Sequence, residues 1–184
     1  MGAGGGQQVD AAGIEGMRRA CRLASEVLDY LTPHIQAGVT TKEIDRLAHD
    51  YMVNVQGTKS ATLGYQPQGY PPYPASLCTS VNDEIVHGIP GERVLLEGDL
   101  VSIDCGAQLE GWNGDAAMTL VVGGEAAGRA EDLELSRTTE ESLWAGIAAL
   151  RECFDNDLAL TRLGTMSNLR TTALQLRVTL QQLG

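Results

Sequence analysis

The spacing of apolar residues changes twice along this 184-residue chain, from helical to strand period and back, and those changes dictate the class of fold. Ile14, Met17, Cys21, Ala24, Leu28 and Leu31 recur at three- and four-residue steps, which predicts an amphipathic helix ending before Pro33. Thr40 followed by Glu43 offers a capping box, and Ile44, Leu47, Ala48, Tyr51 and Met52 carry a second helix. From Ala75 the period moves to two. Residues 75–81 read as a short strand, Asn82-Asp83 as a turn, and 84–87 as a short return strand closing at Gly88-Ile89-Pro90. Two further strands, 100–105 and 116–122, are bridged by GAQLEGWNG. Thr138 with Glu141 is expected to cap a third helix whose Leu143, Trp144, Ile147 and Leu150 form one side. Helices, antiparallel strands and a closing helix make an α+β fold.

Between the second helix and the first strand, TLGYQPQGYPPYP carries too much proline for a regular element, so it is a loop with aromatic side chains to place. The charge is uneven. Residues 1–150 hold 9 basic and 21 acidic side chains, a net of −12, whereas 151–184 hold 4 and 3, a net of +1. An acidic surface argues against nucleic-acid or anionic-membrane partners. The four cysteines lie far apart with no C-x-x-C, which fits a reducing compartment better than a disulfide framework. With no long apolar run and no signal-peptide pattern at MGAGGGQQ, a cytoplasmic protein is expected. Three segments follow: a flexible glycine-rich leader at 1–12, a domain at 13–150, and a divergent tail at 151–184 read as an amphipathic helix or disordered.

Alternation puts Leu100, Ser102 and Asp104 on one strand face and Asp115, Ala117 and Thr119 on one face of the next. If those strands pair, two carboxylates leave the apolar side together. Adjacent carboxylates repel, and a divalent cation relieves this through hard oxygen ligands; two solvent-facing acids on a hairpin satisfy the same spacing. His87 closes a short strand against a Gly-Ile-Pro corner, as an aimed side chain or as a turn residue. His34 and His49 read as solvent residues, and Cys78, mid-strand among apolar neighbours, as a packing cysteine. Trp112 and Trp144 read as core or hairpin-cover residues. No G-x-S-x-G, P-loop or dinucleotide glycine pattern occurs.

The run YPASLCTSVNDEIVHGIPG, followed by GDLVSIDCGAQLEGWNGDAAMTLVVG, resembles the central part of type I methionine aminopeptidases, with further likeness in TEESLWAGIAA and in the two opening helices, over residues 14–150. The resemblance implies the amino-terminal half of a pita-bread fold. It implies Asp104 and Asp115 as bridging ligands of two divalent metals (cobalt, manganese, iron or zinc), and His87 as the catalytic histidine that contacts substrate. Cys78, Tyr70 and Tyr73 become lining residues of a methionine pocket. The implied reaction removes an initiator methionine before a small residue, by a metal-held water, with nascent polypeptide amino termini as partners and a monomer as the expected state; contact with the ribosome is left open.

Two departures stand out. Asn113 occupies a position where relatives commonly carry His, for which a modest effect beside Asp115 is expected. In the family, a second half supplies two further His and two Glu, whereas here the last histidine is His87 and the last glutamate is Glu152. The chain is therefore expected to be a truncated or frame-shifted form, inactive alone. The alternative is a non-catalytic pita-bread-like interaction module. X-Pro peptidases of the same fold fit the N-D-x-x-x-H-G-I-P segment less well.

Overall fold

The computed structural model describes residues 10–155, with side chains to 149. The expectations for 1–9 and for the tail beyond 155 lie outside the described residues. The chain divides into two compact units, 1–128 and 129–184.

In the first unit, α1 (Ala11–Leu31) starts where the Asp10 side chain accepts from the Gly13 amide, inside the stretch expected as leader. The helix α2 (Thr41–Asp50) starts at Thr40, whose hydroxyl accepts from the Glu43 amide 3.2 Å away. The second half of the expected capping box is otherwise engaged, since the Glu43 carboxylate pairs with Arg46. A π-helical turn, Tyr51–Gln56, continues α2. The strands are β1 (Lys59–Ser60), β2 (Leu77–Val81), β3 (Leu100–Leu109) and β4 (Trp112–Val121). All pair antiparallel, with β3 flanked by β4 on one side and by β1 and β2 on the other.

The long strands β3 and β4 outrun the sequence reading, which placed a loop between Cys105 and Ala116. Their turn is only Glu110-Gly111, with φ of 50° and 86°, the pair of left-handed residues a type I′ hairpin demands. Gly106 and Gly114, expected in the bridging loop, serve close packing instead, as does Gly16 in α1. A Cβ on Gly114 would lie 2.1 Å from the Ala20 carbonyl oxygen of α1, and one on Gly16 would lie 2.4 Å from the Trp112 ring. Helix α1 thus rests almost backbone to backbone on β4.

That contact corrects the expected stripe of α1. Gly13, Ala20, Ala24, Val27, Leu28 and Leu31 are buried, whereas Ile14, Met17 and Cys21 are exposed, because only small side chains fit in the first half of the interface. The core gathers Val27, Leu31, Ile44, Met52, Leu77, Leu95, Val101 and Ile103 between the helices and one face of the sheet. Tyr30 stacks on Tyr51 with ring centroids 4.2 Å apart and packs beside His34, which is therefore half-buried rather than a free solvent residue. The expected return strand at 84–87 does not form: His87 has φ of 58°, which no strand accommodates.

The second unit contributes α3 (Ala130–Asp155). It begins eight residues ahead of Thr138, whose expected capping role is replaced by a mid-helix position; Ser142 bonds back to the Thr138 carbonyl at 2.7 Å. Leu143, Trp144 and Ile147 are exposed on it, so Trp144 is not a core residue.

Candidate active site on the open face of the sheet

The register decides which side chains meet. Cys78, Asp104 and Ala117 form one row across β2, β3 and β4, and Asp115 lies opposite Gly106, two residues along β3 from Asp104. Paired residues share a face, so both carboxylates project from the face opposite the core, as diagonal neighbours about 7 Å apart at the backbone. On β4 this face is open: Asn113, Asp115, Ala117 and Thr119 are exposed, while Asp104 is half-buried. Asn113, the residue that departs from the resemblance, accepts from the Gln108 amide group at 3.2 Å.

At the β2 side the face is closed by a buried thiol. Cys78 is 6% exposed. Burial pushes its pKa up, the hydrogen bond with Tyr73 opposes that rise, and the charges of Asp104, Asp115 and Asp45 add to it. The Cys78 group is thus a neutral thiol lining the carboxylates. On the opposite face Cys105 is pushed up to about 12, chiefly by burial. The Tyr73 phenol is likewise pushed up, first by burial and then by Cys78, and stays protonated.

The outer edge of β2 carries the rest. Its Leu77, Thr79 and Val81 amides point away from β3 and are taken by Asp45 Oδ1, the Gly88 carbonyl and Glu84 Oε2, each at 2.8 Å. An edge strand so covered offers no free ladder to another chain. The Tyr73 hydroxyl lies 3.1 Å from both the Leu77 and Gly88 carbonyl oxygens, so its single proton is shared between them. Gly88 returns its own amide to Ser80 Oγ at 3.1 Å, and a Cβ there would lie 2.2 Å from the Thr79 carbonyl oxygen. His87, exposed and left-handed, is therefore presented from a turn pinned to β2.

Of the residues named from sequence, Cys78, Asp104 and Asp115 share the face, and Tyr73 and His87 arrive along the β2 edge. Tyr70 does not join them: it is 69% exposed, on a turn closed by Gln66 donating to its carbonyl. Sequence reasoning missed Asp45 and His49. Asp45 accepts the Ser76 and Leu77 amides, and His49 Nδ1 meets Ser76 Oγ at 2.9 Å, so His49 is no solvent residue. The one sequence signal was their place flanking Ile44 and Ala48 on the buried stripe of α2.

The paired aspartates, Cys78 and His87 all lie within residues 15–158, which match the family model of metallopeptidase family M24. The chain belongs to that family. As an M24 metallopeptidase chain it is 42% identical over 135 residues to the methionine aminopeptidase of Clostridium acetobutylicum, covering 73% of this chain and 50% of that protein. Methionine aminopeptidase 1 of Bacillus subtilis is 42% identical over 131 residues, covering 71% of this chain and 49% of its own length. Among solved structures, the methionine aminopeptidase of Rickettsia prowazekii superposes with a TM-score of 0.68 at 32% identity, over 76% of this chain and 53% of that one. The M24 chain here therefore has the architecture of the amino-terminal part of the pita-bread fold. The Xaa-Pro dipeptidase of Bacillus anthracis, with a TM-score of 0.62 at 22% identity over 74% of this chain and 35% of that one, shares the fold. The chain spans about half the length of the curated relatives it matches.

M24 enzymes are metallopeptidases, and two co-facing carboxylates fit part of such a centre, because hard divalent cations select carboxylate oxygen. They do not complete one. Among the described residues no group of three or more His, Cys, Asp or Glu side chains is arranged to hold a metal ion. No described helix is long and apolar enough to cross a membrane.

Proposed function

We propose that this chain carries the amino-terminal half of an active site that removes an initiator methionine preceding a small residue from new polypeptides, with two divalent metals as cofactor. The observation that carries the reading is the shared face of Asp104 and Asp115 in an M24 domain whose relatives at 42% identity are named methionine aminopeptidases. In this reading Asp104 and Asp115 are metal ligands, His87 contacts the substrate near the scissile bond, and Cys78 with Tyr73 lines the pocket for the methionine side chain. A neutral thiol and a neutral phenol suit a thioether, which has no charge to pair. Tyr70 enters the pocket only if its loop rearranges, and the proposal does not need it.

The chain by itself is expected to be inactive. Two carboxylates cannot fill the coordination of two metal ions, and a centre lacking most of its donors neither orients a water nor lowers its pKa. A chimaera with residues 14–150 in place of the matching half of the Bacillus subtilis relative tests the assignment. Hydrolysis of Met-Ala-Ser with cobalt or manganese, lost on Asp104→Asn, is the expected result. A folded, metal-loaded chimaera that releases no methionine would defeat it.

The shortage of donors also favours a second reading, a non-catalytic interaction module. It predicts that the chimaera is inactive while the chain alone is a well-folded monomer that binds neither metal nor Met-Ala-Ser.

A further inference from the structure

Ser76 and Leu77, the two residues leading into Cys78, are held at every backbone polar group by side chains from elsewhere. Both amides donate to one oxygen, Asp45 Oδ1, at 2.8 Å each. The Ser76 carbonyl accepts from Ser60 Oγ at 3.0 Å and Thr62 Oγ1 at 2.7 Å, and the Leu77 carbonyl accepts from the Tyr73 hydroxyl. The Ser76 hydroxyl meets His49 Nδ1. Asp45 and His49 stand one turn apart on α2, so a single rigid helix grips this segment through two side chains. The Ser76 hydroxyl can donate to or accept from the imidazole nitrogen, so the contact forms with either tautomer of His49.

We propose that Asp45 and His49 are positioning residues of the active-site face: acting through Ser76 and Leu77, they fix where the Cys78 thiol and the Tyr73 hydroxyl stand beside Asp104. The proposal rests on the reading of that face as catalytic. The hydrogen bonds of Asp45 and His49 go to Ser76 and Leu77, and only the charge of Asp45 reaches the Cys78 thiol directly. Burial raises the Asp45 pKa, a cost that the two amide hydrogen bonds partly offset. A carboxylate that merely capped a strand would not need the same oxygen aligned on two successive amides, nor a histidine on the next turn holding the side chain between them.

The neighbouring strand supplies an internal control. Cys105 is the register partner of Leu77 but points into the core, so unfolding exposes both thiols, whereas a shift of residues 76–78 exposes Cys78 alone. The experiment alkylates folded Asp45→Ala, Asp45→Asn and His49→Ala chains with iodoacetamide at pH 8 and maps the peptides. Loss of two charge-assisted bonds in Asp45→Ala is expected to raise the Cys78 rate by about tenfold with Cys105 unchanged. Asp45→Asn keeps an acceptor oxygen but removes the charge that raises the Cys78 pKa, so its rate is expected to fall well below that of Asp45→Ala while staying slightly above wild type. His49→Ala leaves both amides held, folds as the milder variant, and is expected to raise Cys78 alone by a smaller factor. An unchanged Cys78 rate in the folded variants, or a parallel rise at Cys105, overturns the proposal. The measurement needs neither metal nor turnover, so its failure leaves the aminopeptidase reading standing, and failure of the chimaera leaves this one.

Discussion

The Tyr73 hydroxyl lies 3.1 Å from the carbonyl oxygen of Gly88, which ties the proline-rich loop to the turn that presents His87. Two segments that look independent along the chain are thereby one assembly, mounted on the outer edge of β2. Its tightest point is Gly88, and this gives the first expectation.

Gly88→Ala should destabilise the chain by about 3 kcal/mol, because the new methyl would meet backbone rather than a side chain able to swing away. Urea unfolding measures it. A loss below about 0.5 kcal/mol would mean that the turn moves freely relative to β2.

Thr79 is 2% exposed, and among the described residues its hydroxyl finds no hydrogen-bond partner. A buried orphan hydroxyl is unfavourable, so Thr79→Val, of nearly the same shape, should gain about 1 kcal/mol in the same assay. Destabilisation would reveal a partner for that hydroxyl.

Asp45 titrates higher in the folded chain than its ordinary 3.8, mainly through burial. The folded state then holds this proton to higher pH than the unfolded one, so the contribution is complete below 3.8 and is lost as pH rises through the folded value. Stability relative to Asp45→Asn should therefore fall as pH climbs from 3.8 through that value. Urea midpoints collected across this window would refute the assignment by showing a constant difference.

Glu110 has φ of 50° at the first position of the β3–β4 turn. Asn tolerates that region better, so Glu110→Asn should stabilise by about 0.5 kcal/mol. The exposed pair with Arg19 at 3.2 Å is worth too little to reverse the sign. A lowered thermal midpoint would show that it does.

Period and parity were enough to read α1, α2, β2, β3, β4 and α3 in order, though not the two-residue β1 between α2 and β2, and alternation alone brought Asp104 and Asp115 to one face. What escaped was set by contacts between distant segments. The stripe of α1 was misplaced because β4 admits only Gly and Ala there, and Gly106 and Gly114 were taken for loop residues although they mark close approaches. The strand at 84–87 failed because one left-handed residue, His87, turns the chain back toward β2. Tyr70 and Tyr73 are alike in sequence, and only the hydrogen bonds of the folded loop separate them. Asp45 and His49 gave no motif because what they hold is backbone.

The hairpin of β3 and β4 closes through two residues and aligns ten pairs, so the separation of its two carboxylates is a purely local property of the chain. It depends on no long loop being closed and on no other element having docked. The two charges are brought together whenever the hairpin zips, whether or not a helix has yet covered its far side. Cations present at that stage would speed the zipping, whereas Cys78 and His87 can join only after some twenty intervening residues have been ordered.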